Sequence, residues 1–497
     1  MENVAGAEWL KQKFRLFKYP LTHVSVIGTR QKKEVNGEGM VIETYPPHYA
    51  PASGTLPHVA FLIKYDDINL DFLTIVFRQI PMKEVVDFIS TKPAGRYERI
   101  IGFLYEFLLN KTIPIPDLGK GNYIDLLDPE KYITGNIFKN TRWHINDNLL
   151  GTRNFCPIVR RTDDLALQLS ENFIQLIDNI TRAFSPEIFY RALNYLYTKE
   201  TRSSFLIEKE QPSPDRVNRF VNLLGKAGTM PTEILLSEQN LVRLQNEIVD
   251  HRYAAAGYRD FQNYIGQTTY NFKEIIHYIC PPPVYLASIM SGLIETAAKT
   301  EGSNAVVRAA VLSFGFVFAH PFEDGNGRLH RFLIHDILTR DKLVGKGMII
   351  PVSAHMVNHI KDYDSSLEAF SSPLMQKVKY EMLADNSLVV LNPEDVEPCF
   401  KYPDLTMQTA YLAKTIRDTI KEDIYQEMDF LMKYDETKSA IRDIADMPDK
   451  NIDKMMRFLH QNNGMLSGRK RKDFLELKDA EIAKMEFAFQ SIFQTGI

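Results

Sequence analysis

The amino-acid sequence predicts a mainly α-helical protein, and three observations support this fold class. Apolar residues recur every three or four positions in residues 95–110, 164–182 and 416–431, which is the spacing of an amphipathic helix. Residues 309–319 are almost entirely apolar and are typical of a buried helix. Within residues 258–280, two short apolar segments flank a polar turn, which predicts one small β-hairpin.

Length, charge and cysteine content favour a soluble enzyme of the cytoplasm. With 497 residues, the chain is long enough for about three domains with cores of their own. A net charge of −4 and a pI of 6.3 give no general attraction to nucleic acid or anionic membranes. The three cysteines form no metal-binding motif and indicate a reducing compartment. We expect neither a signal peptide nor a membrane span, because no apolar run approaches the roughly 20 residues that a bilayer requires.

The first half of the chain is divided into two regions. Residues 1–160 are predicted to form an α+β extension, with a strand at 58–65, a second strand or a helix at 72–77, a helix at 95–110 and an ordered connection at 111–163. Residues 161–230 are predicted to form a helical segment, with helices at 164–182 and 186–197. Pro212 and Pro214 should end the helical structure that precedes them.

The second half also contains two regions. Residues 231–385 are predicted to form the central core, with helices at 235–250, 309–319 and 353–370 and hairpin strands at 261–265 and 273–279 around a turn at 266–269. Residues 386–497 are predicted to form a helical domain, with helices at 416–431, 439–446, 451–460 and 479–494. This domain contains the basic run Gly468-Arg-Lys-Arg-Lys472. Such a domain can be a winged-helix DNA reader, whereas a short charge run is more often a solvated surface.

The segment His320-Pro-Phe-Glu-Asp-Gly-Asn-Gly-Arg-Leu-His-Arg331 combines residue types that suit a nucleotide phosphate. Pro321 disfavours helix at His320, so the buried helix should end there and present a side chain that can act as a base near neutral pH. Asp324 is a hard oxygen ligand suited to Mg²⁺. Gly325 and Gly327 allow the backbone N–H groups to approach an anion closely.

A second helix is predicted to begin near Arg328, so that its positive N-terminus faces the same point. Arg328 and Arg331 are three residues apart and share a helical face, where they can bind one polyphosphate. The neighbouring His330 and His335 are interpreted as non-catalytic.

The segment resembles the signature of the Fic family, His-Pro-Phe-x-Asp/Glu-Gly-Asn-Gly/Lys-Arg-x-x-Arg, with every fixed position filled. The resemblance implies a Fic helical core in which residues 258–280 are a flap that holds an extended target segment as an added strand. It also implies that His320 is the catalytic base and that Asp324 holds Mg²⁺ across the α- and β-phosphates of ATP. The remaining motif residues would bind the phosphate chain: Gly325, Asn326 and Gly327 at the reacting α-phosphate, with Asn326 also catalytic, and Arg328 and Arg331 at the β- and γ-phosphates.

A second segment, Ser204-x-x-x-Glu208, resembles the inhibitory motif of the family, Ser/Thr-x-x-x-Glu-Gly/Asn. Ser204 and Glu208 are four residues apart and would share a helical face. The resemblance implies that Glu208 reaches Arg331 and blocks the place of the γ-phosphate. The chain departs from the motif at Lys209, where the family has Gly or Asn. Glu208 could alternatively be an ordinary exposed residue at a helix end.

The function predicted from these resemblances is transfer of AMP from ATP to a Ser, Thr or Tyr hydroxyl of a target protein held at the flap. The kinase-like branch that resembles Doc has lysine at the position of Gly327 and is disfavoured. Transfer of another nucleotide such as UMP, and removal of AMP, remain alternatives. A different class of alternative is a nucleotide-sensing regulator, without enzyme activity, whose C-terminal helices bind DNA or a partner. The sequence leaves open whether the chain forms a homo-oligomer.

Overall fold

The computed structural model describes residues 3–37, 39–271, 274–345, 347–385 and 387–494. The fold is mainly α-helical with a few small sheets, as the sequence predicts. The buried apolar residues form three main clusters, one from residues 7–158 together with Tyr402, one from residues 150–428 and one from residues 441–489. No helix in the described part of the chain has both the length and the apolar character needed to cross a membrane.

The N-terminal region is an α+β arrangement with two small sheets. The first sheet has the strand order β1-β2-β4-β3 and the second has the order β5-β7-β6. Its elements are β1 (Val4–Ala5), α1 (Gly6–Lys13), β2 (His23–Ile27), β3 (Lys32–Val35), β4 (Val41–Tyr45), α2 (Thr55–Tyr65), α3 (Leu70–Arg78), α4 (Met82–Thr91), α5 (Arg96–Leu109), β5 (Ile124–Asp125), β6 (Phe138–Asn140) and β7 (Ile145–Asp147), with a 3₁₀ turn at Pro47–Tyr49.

The predicted strand at residues 58–65 is wrong, because this segment belongs to α2. Thr55, His58, Val59 and Leu62 are all buried, and their spacing of three or four residues places them on one face of a helix. Pro57 lies in the first turn, where the missing N–H costs no helical hydrogen bond. The segment 72–77, predicted as a strand or a helix, is helical as part of α3.

The central regions contain the helices that carry the motif. The elements are α6 (Asp163–Leu169), α7 (Phe173–Ala183), α8 (Pro186–Ile207), α9 (Pro214–Leu224), α10 (Thr232–Leu235), α11 (Glu238–Ile248), a 3₁₀ turn at His251–Tyr253, β8 (Tyr264–Thr268), β9 (Glu274–Ile279), α12 (Pro283–Lys299), α13 (Ala305–Ala319), α14 (Asn326–Arg340), α15 (Val352–Asn358) and α16 (Ile360–Lys377).

Several predicted helices are divided in the structure, among them residues 353–370, which belong to α15 and α16 with His359 between them. Residues 164–182 form α6 and α7, because the Asn172 side chain accepts a hydrogen bond from the Gln175 N–H and starts a new helix. Residues 235–250 are divided between α10 and α11 for the same reason, since Ser237 caps α11 through the N–H of Asn240.

The β-hairpin is present, but its first strand lies later than predicted. Residues 266–268, predicted as the turn, belong to β8, which pairs with β9 in antiparallel fashion. A bulge between Ile265 and Gly266 explains the error. A Cβ on Gly266 would crowd the Ile275 carbonyl, so glycine here permits a close strand approach rather than a turn. The predicted start of the second strand, Lys273, lies outside the described residues.

The C-terminal region is helical after one small hairpin. The predicted separate helix at 439–446 is wrong, because the stretch between Leu431 and Ser439 contains no Gly or Pro and the helix continues through it. The elements are β10 (Tyr380–Met382), β11 (Leu388–Val390), α17 (Pro393–Lys401), α18 (Thr406–Asp418), a π-helical segment (Thr419–Ile424), α19 (Tyr425–Ile444), α20 (Asp449–Gln461), α21 (Gly468–Arg471) and α22 (Asp479–Gln494).

The basic run of this region is partly neutralised within the fold. Arg471 forms an ion pair with Asp479 at 2.9 Å, and the ammonium group of Lys470 lies 3.9 Å from the ring centre of Phe458. The structured residues 391–494 contain helices and no strand pair that could serve as a wing. The contacts of Arg471 and Lys470 and the lack of a wing in these residues favour the interpretation that the basic run is a solvated surface of the protein.

Candidate active site

The motif forms a tight loop between α13 and α14, as the sequence predicts. α13 ends at Ala319, and His320 follows in a left-handed conformation with φ of 49°. The Asn326 side chain closes the loop, since its Oδ1 accepts from the Phe322 N–H at 3.0 Å and its Nδ2 donates to the Phe322 carbonyl at 2.8 Å. The side chains of Phe322 and Asn326 are both buried. The Asn326 amide group therefore positions the loop, and its backbone N–H is the group at the start of α14 that can face an anion.

His320 is suited to act as a base. Its Nδ1 lies 3.2 Å from the Val317 carbonyl oxygen. A carbonyl can only accept, so Nδ1 carries the proton and Nε2 carries the lone pair. Burial, the largest cause, and the positive charge of Arg259 together lower the pKa of the imidazole to about 4. His320 is therefore neutral, and able to take a proton, throughout the physiological pH range.

Arg259 fixes the backbone around His320. Its Nε donates to the His320 carbonyl at 2.8 Å, its Nη1 to Phe261 O at 2.7 Å and its Nη2 to Pro281 O at 2.7 Å. Its own backbone N–H donates to Pro321 O at 2.9 Å. Phe261 and Pro281 lie at the two ends of the flap, defined here as residues 258–280 and their immediate neighbours. Arg259 therefore connects both ends of the flap to the position of the base.

Asp324 is partly exposed and lies beside the first motif arginine. Its Oδ1 accepts from the Gly325 N–H at 2.6 Å and from Arg328 Nη2 at 2.6 Å. The side chain is 34 % exposed, so solvent and a ligand can reach the carboxylate. The described residues contain no group of three His, Cys, Asp or Glu side chains that could hold a metal ion. Asp324 fits a Mg²⁺ ion that takes most of its ligands from water and nucleotide phosphates. The neighbouring Glu323 is exposed.

The two motif glycines have different local requirements. Gly325 has φ of 88°, in the left-handed region that favours glycine, and precedes the first turn of α14. Gly327 lies within that turn, and a Cβ there would overlap the Glu208 carboxylate. The absence of a side chain at Gly327 therefore makes room for Glu208.

Arg331 is bound by residues 203–210, the segment that resembles the inhibitory motif of the family. Its Nε donates to Ser204 Oγ, and its Nη2 donates to Ser204 O and to Glu208 Oε1, all at 2.8 Å. Arg331 and Ser204 are buried, whereas the Glu208 side chain is 35 % exposed. The Tyr363 hydroxyl faces the same guanidinium, and burial raises the pKa of Tyr363 to about 12. Tyr363 is itself a buried residue.

The register of α8 against α14 is set by a second buried contact. Glu200 lies one turn before Ser204, and His335 lies one turn after Arg331. The Nε2 of His335 is 2.7 Å from Glu200 Oε1, and Glu200 Oε2 accepts from the Ser353 N–H at 2.8 Å. Thus two aligned contacts, Glu200 with His335 and Ser204 with Arg331, place Glu208 above Gly327.

Arg328 is bound by a carboxylate that the sequence analysis did not identify. Glu210 makes a two-pronged contact with it, at 3.2 Å from Nη1 to Oε2 and 2.9 Å from Nη2 to Oε1. Glu210 also accepts from Arg216 Nη2 at 2.8 Å. The guanidinium groups of Arg328 and Arg216 lie 5.1 Å and 4.9 Å from the ring centre of the buried Phe205.

The turn that carries Glu208 and Glu210 also accounts for the departure at Lys209. Glu208 caps α8, and Lys209 follows with φ of 58°. The Lys209 N–H donates to Leu206 O at 2.9 Å and the Glu210 N–H to Phe205 O at 3.1 Å. This is the Schellman arrangement, in which the residue after the cap is left-handed and is usually Gly or Asn. Lys209 adopts the conformation expected of a Gly or Asn at this position.

The structure thus brings together every motif residue that the sequence singled out. His320, Asp324 and Asn326 lie in or next to one loop, whereas Arg328 and Arg331 contact residues 203–210. His330 is buried against the ring of Phe314, away from the loop surface. Sequence reasoning missed Glu210, Arg259 and Glu200. The only available signal was spacing, because Glu200 lies four residues before Ser204, on the same helical face.

This architecture defines a mainly α-helical protein with a base and an anion-binding helix start in one loop. Residues 235–338 match the sequence profile of the Fic/DOC family. The chain therefore contains a Fic/DOC family domain. Domains of this family generally transfer a nucleoside monophosphate to proteins.

Two solved structures show partial likeness to the chain. A Fic family protein from Desulfovibrio desulfuricans G20 is 16 % identical over 56 % of this chain and 80 % of that one, with a TM-score of 0.39. A Fic domain containing signaling protein from Bacteroides thetaiotaomicron VPI-5482 is 15 % identical over 53 % of this chain and 97 % of that one, with a TM-score of 0.33. No curated protein matches the sequence. The family assignment rests on the profile match and on the complete motif.

Proposed function

We propose that this protein is a protein adenylyltransferase that transfers AMP from ATP to a hydroxyl group of a target protein and is restrained by its own inhibitory segment, residues 203–210. The observation that carries the proposal is the contact of His320 Nδ1 with the Val317 carbonyl, which leaves the lone pair on Nε2, in the loop that leads to the N-terminus of α14. A base and a ready anion site so close together suit attack of a hydroxyl on a phosphate.

Each step can be assigned to groups of this chain. His320 Nε2 takes the proton of the acceptor hydroxyl, and the hydroxyl oxygen attacks the α-phosphorus of ATP. The bond from that phosphorus to the bridging oxygen breaks, and pyrophosphate leaves. The backbone N–H groups at the start of α14 stabilise the charge on the α-phosphate, and Arg328 and Arg331 bind the phosphates that leave.

Mg²⁺ would be held by Asp324, where it would neutralise charge on the nucleotide phosphates. Only part of the Asp324 carboxylate is used within the fold, because the Gly325 N–H and Arg328 both contact its Oδ1. Release of Arg328 from this carboxylate would leave both oxygens accessible to the ion.

The target would lie along the flap. β8 and β9 form a two-stranded sheet, and β9 packs near α16, where the ring centres of the buried Tyr278 and Phe370 are 6.1 Å apart. The outer edge of β8 pairs with no other strand of the described residues. An extended segment added at this edge would be held by main-chain hydrogen bonds, with its hydroxyl near the motif loop.

Labelled ATP tests this proposal. The protein, with and without cell lysate, is incubated with ATP labelled either at the α- or at the γ-phosphate. We expect α-label on protein and no γ-label, and we expect His320→Ala to abolish transfer while ATP still binds. Transfer of γ-label would show phosphorylation instead, and α-label that persists at the wild-type rate in His320→Ala would contradict the assignment of the base. Parallel reactions with UTP and with AMP-modified protein examine the alternative nucleotide and the reverse reaction.

A further inference from the structure

The two motif arginines are both occupied by carboxylates from one turn. Glu208 and Glu210 are two residues apart, and the left-handed Lys209 between them turns the chain so that their side chains reach different arginines. We infer that Glu210 is a second inhibitory carboxylate, which keeps Arg328 from the phosphates of a nucleotide as Glu208 keeps Arg331 from them. This inference rests on the proposed function, since it assumes that Arg328 serves a nucleotide.

The Glu210 carboxylate binds Arg328 in the way that a phosphate group would. A guanidinium group binds carboxylates and phosphates through the same pair of parallel N–H groups. Both terminal nitrogens of Arg328 face the two oxygens of Glu210. Arg328 is almost fully buried, so it cannot turn to a nucleotide while it keeps this contact. Nucleotide binding at Arg328 therefore requires Glu210 to leave.

Glu210 itself is held in place from the other side. Arg216, on α9, donates to Glu210 Oε2 at 2.8 Å and to the Ile248 carbonyl at 3.3 Å. Glu210 thus lies between two guanidinium groups, and both of these lie near the ring of Phe205. Without Glu210, Arg216 would lose its ion pair, and Arg328 would keep only Asp324 as a carboxylate partner among the described residues. The Glu210 carboxylate neutralises both guanidinium groups in the resting arrangement, and a phosphate group could replace it there.

The hydrogen bonds of the turn make the two restraints act together. The N–H groups of Lys209 and Glu210 are bound to carbonyls of the last turn of α8. Movement of this turn away from α14 would withdraw both carboxylates, whereas a change of one side chain would release only one arginine. We therefore expect partial activation when Glu208 alone is removed and a further gain when Glu210 is also changed.

ATP binding measured by titration calorimetry tests the inference. The comparison is His320→Ala/Glu208→Gly with His320→Ala/Glu208→Gly/Glu210→Gln, in the full chain with Mg²⁺, because loss of the base prevents turnover. We expect the Glu210→Gln change to tighten ATP binding about tenfold and to leave AMP binding within about twofold, because AMP lacks the β- and γ-phosphates. Glu210→Ala, which removes the hydrogen bonds as well, should tighten ATP binding at least as much.

The matched control is Glu247→Gln, which removes one carboxylate from the surface ion pair with Arg243 on α11 and should not change ATP binding. ATP binding that is unchanged or weaker after Glu210→Gln would overturn the inference, since a weaker value means that Glu210 orients Arg328 for phosphate. Absence of ATP binding to all variants would overturn both the inference and the proposed function. Tighter ATP binding without any AMP transfer by a Glu208→Gly protein would leave the inference standing and refute the proposed function.

Discussion

The contact between Glu208 and Arg331 gives the most direct way to change the activity of this protein. Glu208→Gly removes the carboxylate from Nη2 of Arg331 and leaves the two hydrogen bonds from Ser204 in place. The Nη2 group of Arg331 can then bind a γ-phosphate, so ATP should bind in a productive position. Glycine at 208 also clears the space above Gly327.

The size of this effect follows from the burial of the two partners. A hydrogen bond between charged groups contributes about 1.5–3 kcal/mol when its partners are shielded from water. Arg331 is fully buried, but Glu208 is 35 % exposed, so solvent weakens its side of the contact. We therefore expect the restraint to amount to about 1–2 kcal/mol, which corresponds to roughly a 5- to 30-fold change in ATP affinity.

The assay is the initial rate of self-modification with α-labelled ATP, together with the affinity for ATP. Glu208→Gly should exceed the wild type in both measurements, and Glu208→Gly/Arg331→Ala should return to the wild-type level or below. Ser204→Ala, which removes one hydrogen bond to Arg331, should give a smaller gain. If Glu208→Gly is no more active than the wild type although ATP binding is preserved, the inhibitory segment does not restrain this chain.

Three further predictions concern the metal ligand, the strained turn and the base. Asp324→Ala should lose Mg²⁺-dependent transfer, whereas Glu323→Ala, at an exposed neighbouring position, should retain it; equal losses in a Mg²⁺ titration would refute the role of Asp324. Lys209→Gly should remove about 1 kcal/mol of left-handed strain and stabilise the inhibitory turn, so self-modification should fall severalfold; a rise would show that the turn does not restrain the enzyme. Because burial and Arg259 lower the pKa of His320 to about 4, the neutral base should persist as pH falls from 7 to 5, and an NMR titration should give a pKa well below 6.5. Arg259→Gln should move that pKa upwards by removal of the charge, while Arg259→Lys should move it less; a His320 pKa that does not change in Arg259→Gln would contradict the electrostatic link.

The residues near the motif were predictable because the chemistry there is local. Pro321 ends one helix and the glycines allow the next to begin, so α13, the loop and α14 follow from a short run of sequence. Amphipathic spacing likewise predicts α5 and α22 close to their observed bounds.

What the sequence missed depends on contacts between distant segments. Glu210 reaches Arg328 across 118 positions, and Arg259 reaches the His320 carbonyl across 61. No local pattern marks either residue, since a glutamate after a helix and an arginine after a tyrosine are ordinary. The strand assigned to residues 58–65 failed for a related reason. A short apolar segment fits both the helical and the strand periodicity. Packing of this segment against α1 and α5 favours the helix.

Departures from the family motif were the hardest features to interpret from sequence. When only residue types are compared, Lys209 departs from the inhibitory motif, which has Gly or Asn at this position. In the structure, Lys209 nevertheless adopts the left-handed conformation, and both hydrogen bonds of the turn are made. A lysine there costs some conformational free energy, which the contacts of Glu208 and Glu210 with the motif arginines can offset.

The most direct test of the proposed reaction is peptide mass spectrometry of the Glu208→Gly protein after incubation with ATP and Mg²⁺ in cell lysate. The account predicts peptides that carry one added AMP on a Ser, Thr or Tyr hydroxyl, on this chain or on a lysate protein. These peptides should be absent when Glu208→Gly is combined with His320→Ala. Peptides that carry phosphate instead, or AMP-bearing peptides that are equally abundant without His320, would contradict it.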